Sequence, residues 1–294
     1  MTSTALRVIR TGLIWPRCAG DLIDARAVID AGEAQGLYIG EHPDGAYIPK
    51  SLGDLKDFFE IKSIQFGKVP NLSSEGIEKF QSLESLWIEE FEPFDLEIFT
   101  NLRELSFTAS KGFDVGFRLP KLTTLLLSKS AVQDCHFVEG FESLNDIVML
   151  QANKLKSLNG LELASRLSRA SIGYAPNLTD ISTLPNCESL RCLELRNLKK
   201  VADYAPIFEI SGLKRLTFSK CNAIASLGHI TRLTQLEHLA LIDTDVLDGD
   251  LAPTLKLAEL SHVGIYPMKK HFSPSGKEVE NTVKARLVHD QSAT

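Results

Sequence analysis

The sequence predicts a solenoid, a stack of short, similar units laid along one axis. Three observations carry that prediction. The pattern LxxLxL is spelled by Leu190, Leu193 and Leu195, then by Leu213, Leu216 and Phe218, then by Leu236, Leu239 and Leu241, at a constant step of 23 residues. Self-similarity at a fixed period of this size marks a repeat architecture, because one strand-and-turn unit cannot bury its own apolar face and must stack on neighbours. The same apolar triplet recurs over most of the chain at steps of 19 to 23 residues. Finally, Pro93, Pro120, Pro176, Pro185 and Pro206 all fall between the triplets, where no ladder hydrogen bond is lost.

Residues 1–34 lack the pattern and are expected to form an N-terminal cap, with a strand within 7–15 and a short helix over 21–34. An open stack exposes its end, so terminal units depart from the repeat. The first repeat strand is placed at Gly36–Ile39, and the repeat region at 35–265. Within it the triplets are Ile61/Ile64/Phe66, Leu83/Leu86/Ile88, Leu102/Leu105/Phe107, Leu122/Leu125/Leu127 and Leu167/Ala170/Ile172, followed by the three above and a fading Leu257/Leu260. Over 144–150 two registers compete, Leu144/Ile147/Met149 and Asn145/Val148/Leu150. The second is preferred because it puts Asn153 and Leu155 on pattern. A slip of one residue exchanges the two faces of a strand. Three residues past each triplet a polar side chain can satisfy backbone groups where the chain turns; Ser110, Ser130, Asn153, Cys221 and Thr244 stand there, and Cys221 reads as a buried structural thiol. Segments 73–81, 95–99 and 136–141 read as single-turn or short helices on the far side of the stack. Residues 266–294 are expected to be a C-terminal cap and polar tail, with Val279, Val283 and Leu287 at four-residue spacing making 273–294 a frayed helix or tail.

These triplets, with their polar turn position, resemble the leucine-rich repeat superfamily from about residue 36 to residue 265. The 22–23-residue unit is similar to internalin-type and phosphatase-regulator-type repeats, and the chain as a whole looks like a free-standing bacterial member. The resemblance implies an α/β solenoid: a right-handed curved stack with about 10–11 parallel strands on the concave face and short helices or turns on the convex face. It also implies a protein-binding function and carries no catalytic residues with it.

On such a face the residues between the inward leucines point out. The middle column reads Tyr38, Gln65, Trp87, Ser106, Leu126, Met149, Ser171, Glu194, Thr217, Ala240 and Ser261. A solvated strand face should be polar, so Tyr38, Trp87, Leu126 and Met149 are candidate contact residues, with Tyr174, Ile147 and Ile242 in adjacent columns. Charge divides along the chain. Glu89 and Glu90 stand early; Arg169, Arg196 and Arg215 stand later, a polarity that would orient a charged partner.

Composition bounds the remaining classes. A net charge of -6 argues against a nucleic-acid footprint over the whole surface. No stretch of 18 apolar residues exists to span a membrane. The five cysteines are scattered without a CxxC pair and read as reduced thiols of a cytoplasmic protein. No P-loop, GxGxxG, HExxH or GxSxG is present, and neither a metal nor a cofactor is expected. Asp243, Asp245, Asp248 and Asp250 superficially resemble a calcium loop, but the spacing is off and no Glu closes it. Cys135 and His136 are neighbours without a motif to complete a catalytic set. The expected partner is another protein, and inhibitor or immunity-type occlusion of a toxin or enzyme is preferred to a regulatory scaffold.

Overall fold

A computed structural model of the chain describes residues 12–41, 46–69, 71–90, 93–109 and 115–292. It packs as two units, Met1–Leu127 and Ser128–Thr294. In the first, β1 (Leu13–Ile14) precedes α1 (Ala19–Asp30), and β2 (Gly36–Ile39), β3 (Ser63–Lys68), β4 (Ser85–Glu90), β5 (Glu104–Thr108) and β6 (Thr124–Ser128) follow. β1 to β5 pair in chain order, all parallel. In the second unit, β7 (Asp146–Leu150), β8 (Arg169–Gly173), β9 (Cys192–Arg196), β10 (Arg215–Ser219), β11 (His238–Ile242) and β12 (His262–Tyr266) also pair parallel in chain order. The twelve strands among the described residues exceed the expected ten or eleven, because Leu13–Ile14 adds one to the N-terminal end and the last repeat is a full strand.

The triplets are the core. Ile64, Phe66, Leu86, Leu125, Leu127, Leu193, Leu195, Leu216 and Leu239 are all nearly or completely buried. Burying each such side chain contributes roughly 1.5–3 kcal/mol, and stacking lets every unit repeat that gain against its neighbours. The connections return through short 3-10 turns such as Ile77–Lys79, Leu161–Leu163, Ala205–Glu209 and Gly228–Arg232. A 23-residue period leaves no room for a long helix, so each turn delivers one or two apolar residues (Ile77, Leu161, Ile207 with Phe208, Ile230) to the core and ends. Pro206 and Pro253 sit in the first positions of their turns, where their missing N–H leaves no bond unmade. Segment 95–99 forms a turn, not the expected helix.

Two registers are corrected. Leu144, Ile147 and Met149 are fully buried while Val148 and Leu150 are half-exposed. Ile147 and Met149 pair with the core residues Ala170 and Ile172. Asn145 therefore lies outside the core, with Oδ1 accepting from Ser168 Oγ at 2.8 Å. Ala152, not Asn153, takes the turn position. At the other end Leu239 pairs with Val263 and Leu241 with Ile265, so the last triplet is Leu260/Val263/Ile265, and Gly264, not Ser261, extends the middle column. In both places apolar spacing, not the polar turn residue or the neighbouring leucines, sets the register.

Six repeats share one backbone feature. Lys129, Gln151, Tyr174, Asn197, Lys220 and Asp243, directly after their strands, have φ between 47° and 55°. Each donates its N–H to the last residue of the next strand: Gln151 to Gly173 O at 3.0 Å, Tyr174 to Arg196 O at 2.9 Å, Asn197 to Ser219 O at 2.7 Å, Lys220 to Ile242 O at 2.8 Å. The left-handed conformation costs an L-residue roughly 1–2 kcal/mol. Here it ends each strand and aims one more donor at the next repeat. Beyond it Cys221 is buried, with Sγ 3.3 Å from Leu195 O and its N–H donated to Thr244 Oγ1.

The C-terminal segment takes the helical form of the two expected. Gly276–Ser292 forms α2, opened by a capping box in which Ser275 and Glu278 exchange hydrogen bonds. Val279 and Val283, one helical turn apart, are buried. Glu280 accepts the N–H of Ile265, and Arg286 donates to Leu255 O and Leu257 O, so the helix covers the open edge of β12.

Candidate functional site

The strand registers arrange the exposed side chains of each unit into columns. In the first unit the middle column runs Tyr38, Gln65, Trp87, Ser106. Tyr38 is half-buried, not a free anchor. Its ring meets Trp15 edge-on at 4.5 Å, and Trp15 is itself fixed by its indole N–H on Gly40 O at 3.1 Å. Gly40 and Gly67 leave the space in which the tyrosine ring lies; a Cβ at either would collide with it. Burial and the negative charge of Glu89 push the Tyr38 hydroxyl above its ordinary pKa. Trp87 stands differently: 39% exposed, between the short polar Gln65 and Ser106. Glu89 is exposed beside it. Glu90 ends β4, opposite Lys68, and its side chain lies outside the described residues, as do Ser110 and residues 7–11. Leu126, on β6, is half-buried.

In the second unit the first column runs Asp146, Arg169, Cys192, Arg215, His238, His262. Arg169 pairs with Asp146 at 3.1 Å. Arg196 pairs with Glu194, which also accepts from Ser171 Oγ at 3.1 Å. Arg215 alone of the three candidate arginines has no ion pair among the described residues, and it is exposed. The column's last two members, on adjacent strands, stack their imidazoles with centroids 4.3 Å apart and planes 13° apart. Burial, the Arg215 charge and His262 together hold His238 below the usual histidine pKa, opposed by Glu237. Cys192 is half-buried, and burial pushes its thiol up against the pull of Arg169 and Arg215.

Met149 leaves the candidate row with Ile147, since both are core. Tyr174 is 44% exposed, but on the left-handed position beyond β8, not in a strand column. Ile242 is 39% exposed and pairs with Tyr266, 68% exposed, which sequence reasoning assigned to the cap. The correct register of the last repeat would have placed Tyr266 on this face and His262 beside His238.

The remaining clusters are occupied internally. Asp245 pairs with Lys269 at 2.7 Å and His271 at 3.2 Å. Cys135 is buried, which pushes its thiol far up, while His136 is exposed against Asp134 at 3.1 Å. Among the described residues no three His, Cys, Asp or Glu side chains gather to hold a metal, and no helix is long and apolar enough to cross a membrane.

No protein-family model matches the chain, and no curated protein matches it. Solved structures do. An internalin (inlF) from Listeria monocytogenes is similar over 90% of this chain and 94% of its own length, at 16% identity and a TM-score of 0.52. An internalin C2 (inlC2) of the same organism is similar over 90% of this chain and 99% of its own, at 18% identity and a TM-score of 0.48. The buried triplets, the parallel one-strand-per-repeat sheet and the first of these likenesses together make the fold a leucine-rich repeat solenoid.

Proposed function

We propose that this chain is a protein-binding module that recognises a partner protein through the exposed face of its strands, without chemistry of its own. The observation that carries the reading is Trp87. A tryptophan 39% exposed in the middle of a strand, between Gln65 and Ser106, leaves apolar surface in water that its own unit does not cover. Exposed aromatic groups of this kind are the usual anchors of protein contacts. Arg215, exposed and without a carboxylate in an ion pair among the described residues, offers a second unit's worth of the same argument for an acidic contact. Arg196, committed to Glu194, and Tyr38, committed to Trp15, contribute less. The leucine-rich repeat fold supports protein binding in general, as an associational argument.

Within that reading, binding occludes the partner, as an inhibitor or immunity-type protein would, in the cytoplasm where the five unpaired cysteines stay reduced. The test is affinity purification from the native cell with the wild type, Trp87→Glu and Arg215→Glu in parallel, followed by assay of the captured protein bound and free. Loss of capture in either variant supports the face, and an inactive bound partner supports occlusion. An active partner in a stable complex makes the chain a scaffold. Equal capture by all three proteins removes the function from these residues.

A further inference from the structure

A groove of about 460 Å³ runs past the ends of β6 to β9, lined by Lys129, Gln151, Asn153, Tyr174, Pro176, Asn197 and Lys199. It lies wholly within the second unit. Its walls come from the left-handed row and from the residues two positions further on. Three features set it apart.

First, it contains two lysines and no carboxylate, in a chain whose net charge is -6. Second, none of its polar side chains has a hydrogen bond or ion pair among the described residues. Elsewhere neighbouring repeats consume such groups: Lys121 bonds Asn101 at 2.8 Å, Lys156 bonds Gln133 at 3.3 Å, Lys200 bonds Asn177 at 2.8 Å and Lys214 bonds Glu237 at 2.7 Å. A cavity in the first unit has polar groups that are paired, Lys62 with Glu84 at 2.8 Å and Ser85 with Glu104 at 3.2 Å. Third, the row uses backbone positions where glycine is cheapest, yet all six carry side chains, a bulky tyrosine among them. Unusual backbone retained with a side chain is the kind of outlier from which a functional role is argued.

We propose that this groove binds an extended acidic segment of a partner protein. The segment would present two carboxylates about four residues apart to Lys129 and Lys199, with an apolar side chain between them on Tyr174 and Pro176. Three strand spacings separate the rows that carry the two lysines, roughly 14 Å. An extended peptide covers roughly 13 Å in four residues. The carboxamides of Gln151, Asn153 and Asn197 both donate and accept, which matches the alternating N–H and C=O groups of a peptide backbone. This deepens the proposed function, resting on its claim that the ligand is a protein, but uses none of the strand-face residues.

The test is fluorescence anisotropy with a labelled synthetic peptide, Gly-Glu-Ala-Phe-Ala-Glu-Gly, and its Gln-for-Glu counterpart. The Glu peptide is expected to bind at least tenfold more tightly than the Gln peptide, and more weakly as salt rises. Lys129→Gln and Lys199→Gln should each weaken it about tenfold, and Tyr174→Asn, which tolerates the left-handed backbone, severalfold; Lys214→Gln, outside the groove, should leave it unchanged. Circular dichroism verifies each fold. The proposal is overturned if the Glu peptide fails to bind, if the Lys129→Gln/Lys199→Gln double variant binds it as the wild type does, or if tetragalacturonate binds and the peptide does not. Peptide affinity is read directly, so its outcome is separate from capture of a partner through Trp87 and Arg215.

Discussion

The two units use one fold in two ways. In the second, triplets follow one another every 23 or 24 residues, each strand from β7 to β11 ends in a left-handed residue with a side chain, and polar side chains are bonded from repeat to repeat at a spacing of about 23. In the first, steps as short as 19 and 20 residues occur, and the positive-φ residues among those described are the glycines Gly12, Gly32 and Gly76. Polar bonds between repeats there span 19 to 22 residues, and aromatic packing adds to them: Trp15 on Tyr38, Phe59 on Phe80 at 5.1 Å, Phe94 on Phe99 at 6.1 Å. The strand face follows suit. It presents an exposed Trp87 and Glu89 in the first unit, and a row of Arg, Cys and His in the second. Regular spacing lets every repeat satisfy its neighbour in the same way; irregular spacing requires each contact to be built separately.

That contrast can be broken or sharpened by substitution. The largest effect is expected at the end of the second unit. Val279→Asp/Val283→Asp would bury two unpaired carboxylates between α2 and β12, and backbone amide exchange should show β12 losing protection while β8 to β10 keep theirs. Next, Phe107→Ala and Phe218→Ala remove the same pattern position from the two units, and each should cost about 3–5 kcal/mol by urea denaturation. A clearly smaller cost for Phe107 would show that the first unit collapses around the gap and that its packing is the looser. Lys220→Val places a β-branched residue at φ 54° and should cost about 1–2 kcal/mol, whereas Lys220→Asn should be nearly neutral. The smallest effect is electrostatic. The folded-state pKa of His238 lies below its unfolded value, because of burial, Arg215 and His262, with Glu237 opposing. The unfolded chain therefore takes up this proton first, so its contribution to stability is present above about pH 6.5 and lost as pH falls through the folded pKa. His238→Gln should flatten the decline in urea midpoint between pH 7.5 and 5.5; an unchanged slope would mean other groups carry it.

Apolar spacing made most of the fold legible. Wherever three apolar residues stood at the right intervals, as at Leu190/Leu193/Leu195, strand, face and neighbour followed from it. The two misplacements arose where a second criterion competed. Asn153 looked like a turn residue and displaced the 144–150 register, which put Met149 on the surface when it belongs in the core. Leu257 and Leu260 looked like a fading triplet, which hid Val263 and Ile265 and, with them, the stacking of His238 on His262. The candidate site was less legible for a different reason. Whether an arginine is free depends on which carboxylate reaches it, and the sequence placed Arg169, Arg196 and Arg215 alike when only the last is unpaired among the described residues. The groove beyond β6 to β9 lies on residues outside the strands altogether, where strand alternation says nothing.

The helix seated on β12 has a consequence for how such a chain can change length. With Ile265 N–H taken by Glu280, and Val279 and Val283 closing the last core layer, a repeat added after residue 265 would meet an edge already sealed. A unit duplicated between 190 and 235, by contrast, inherits matching triplets above and below and leaves both seals untouched. The chain is built to lengthen from its middle, and a designer who wants a longer version should insert there.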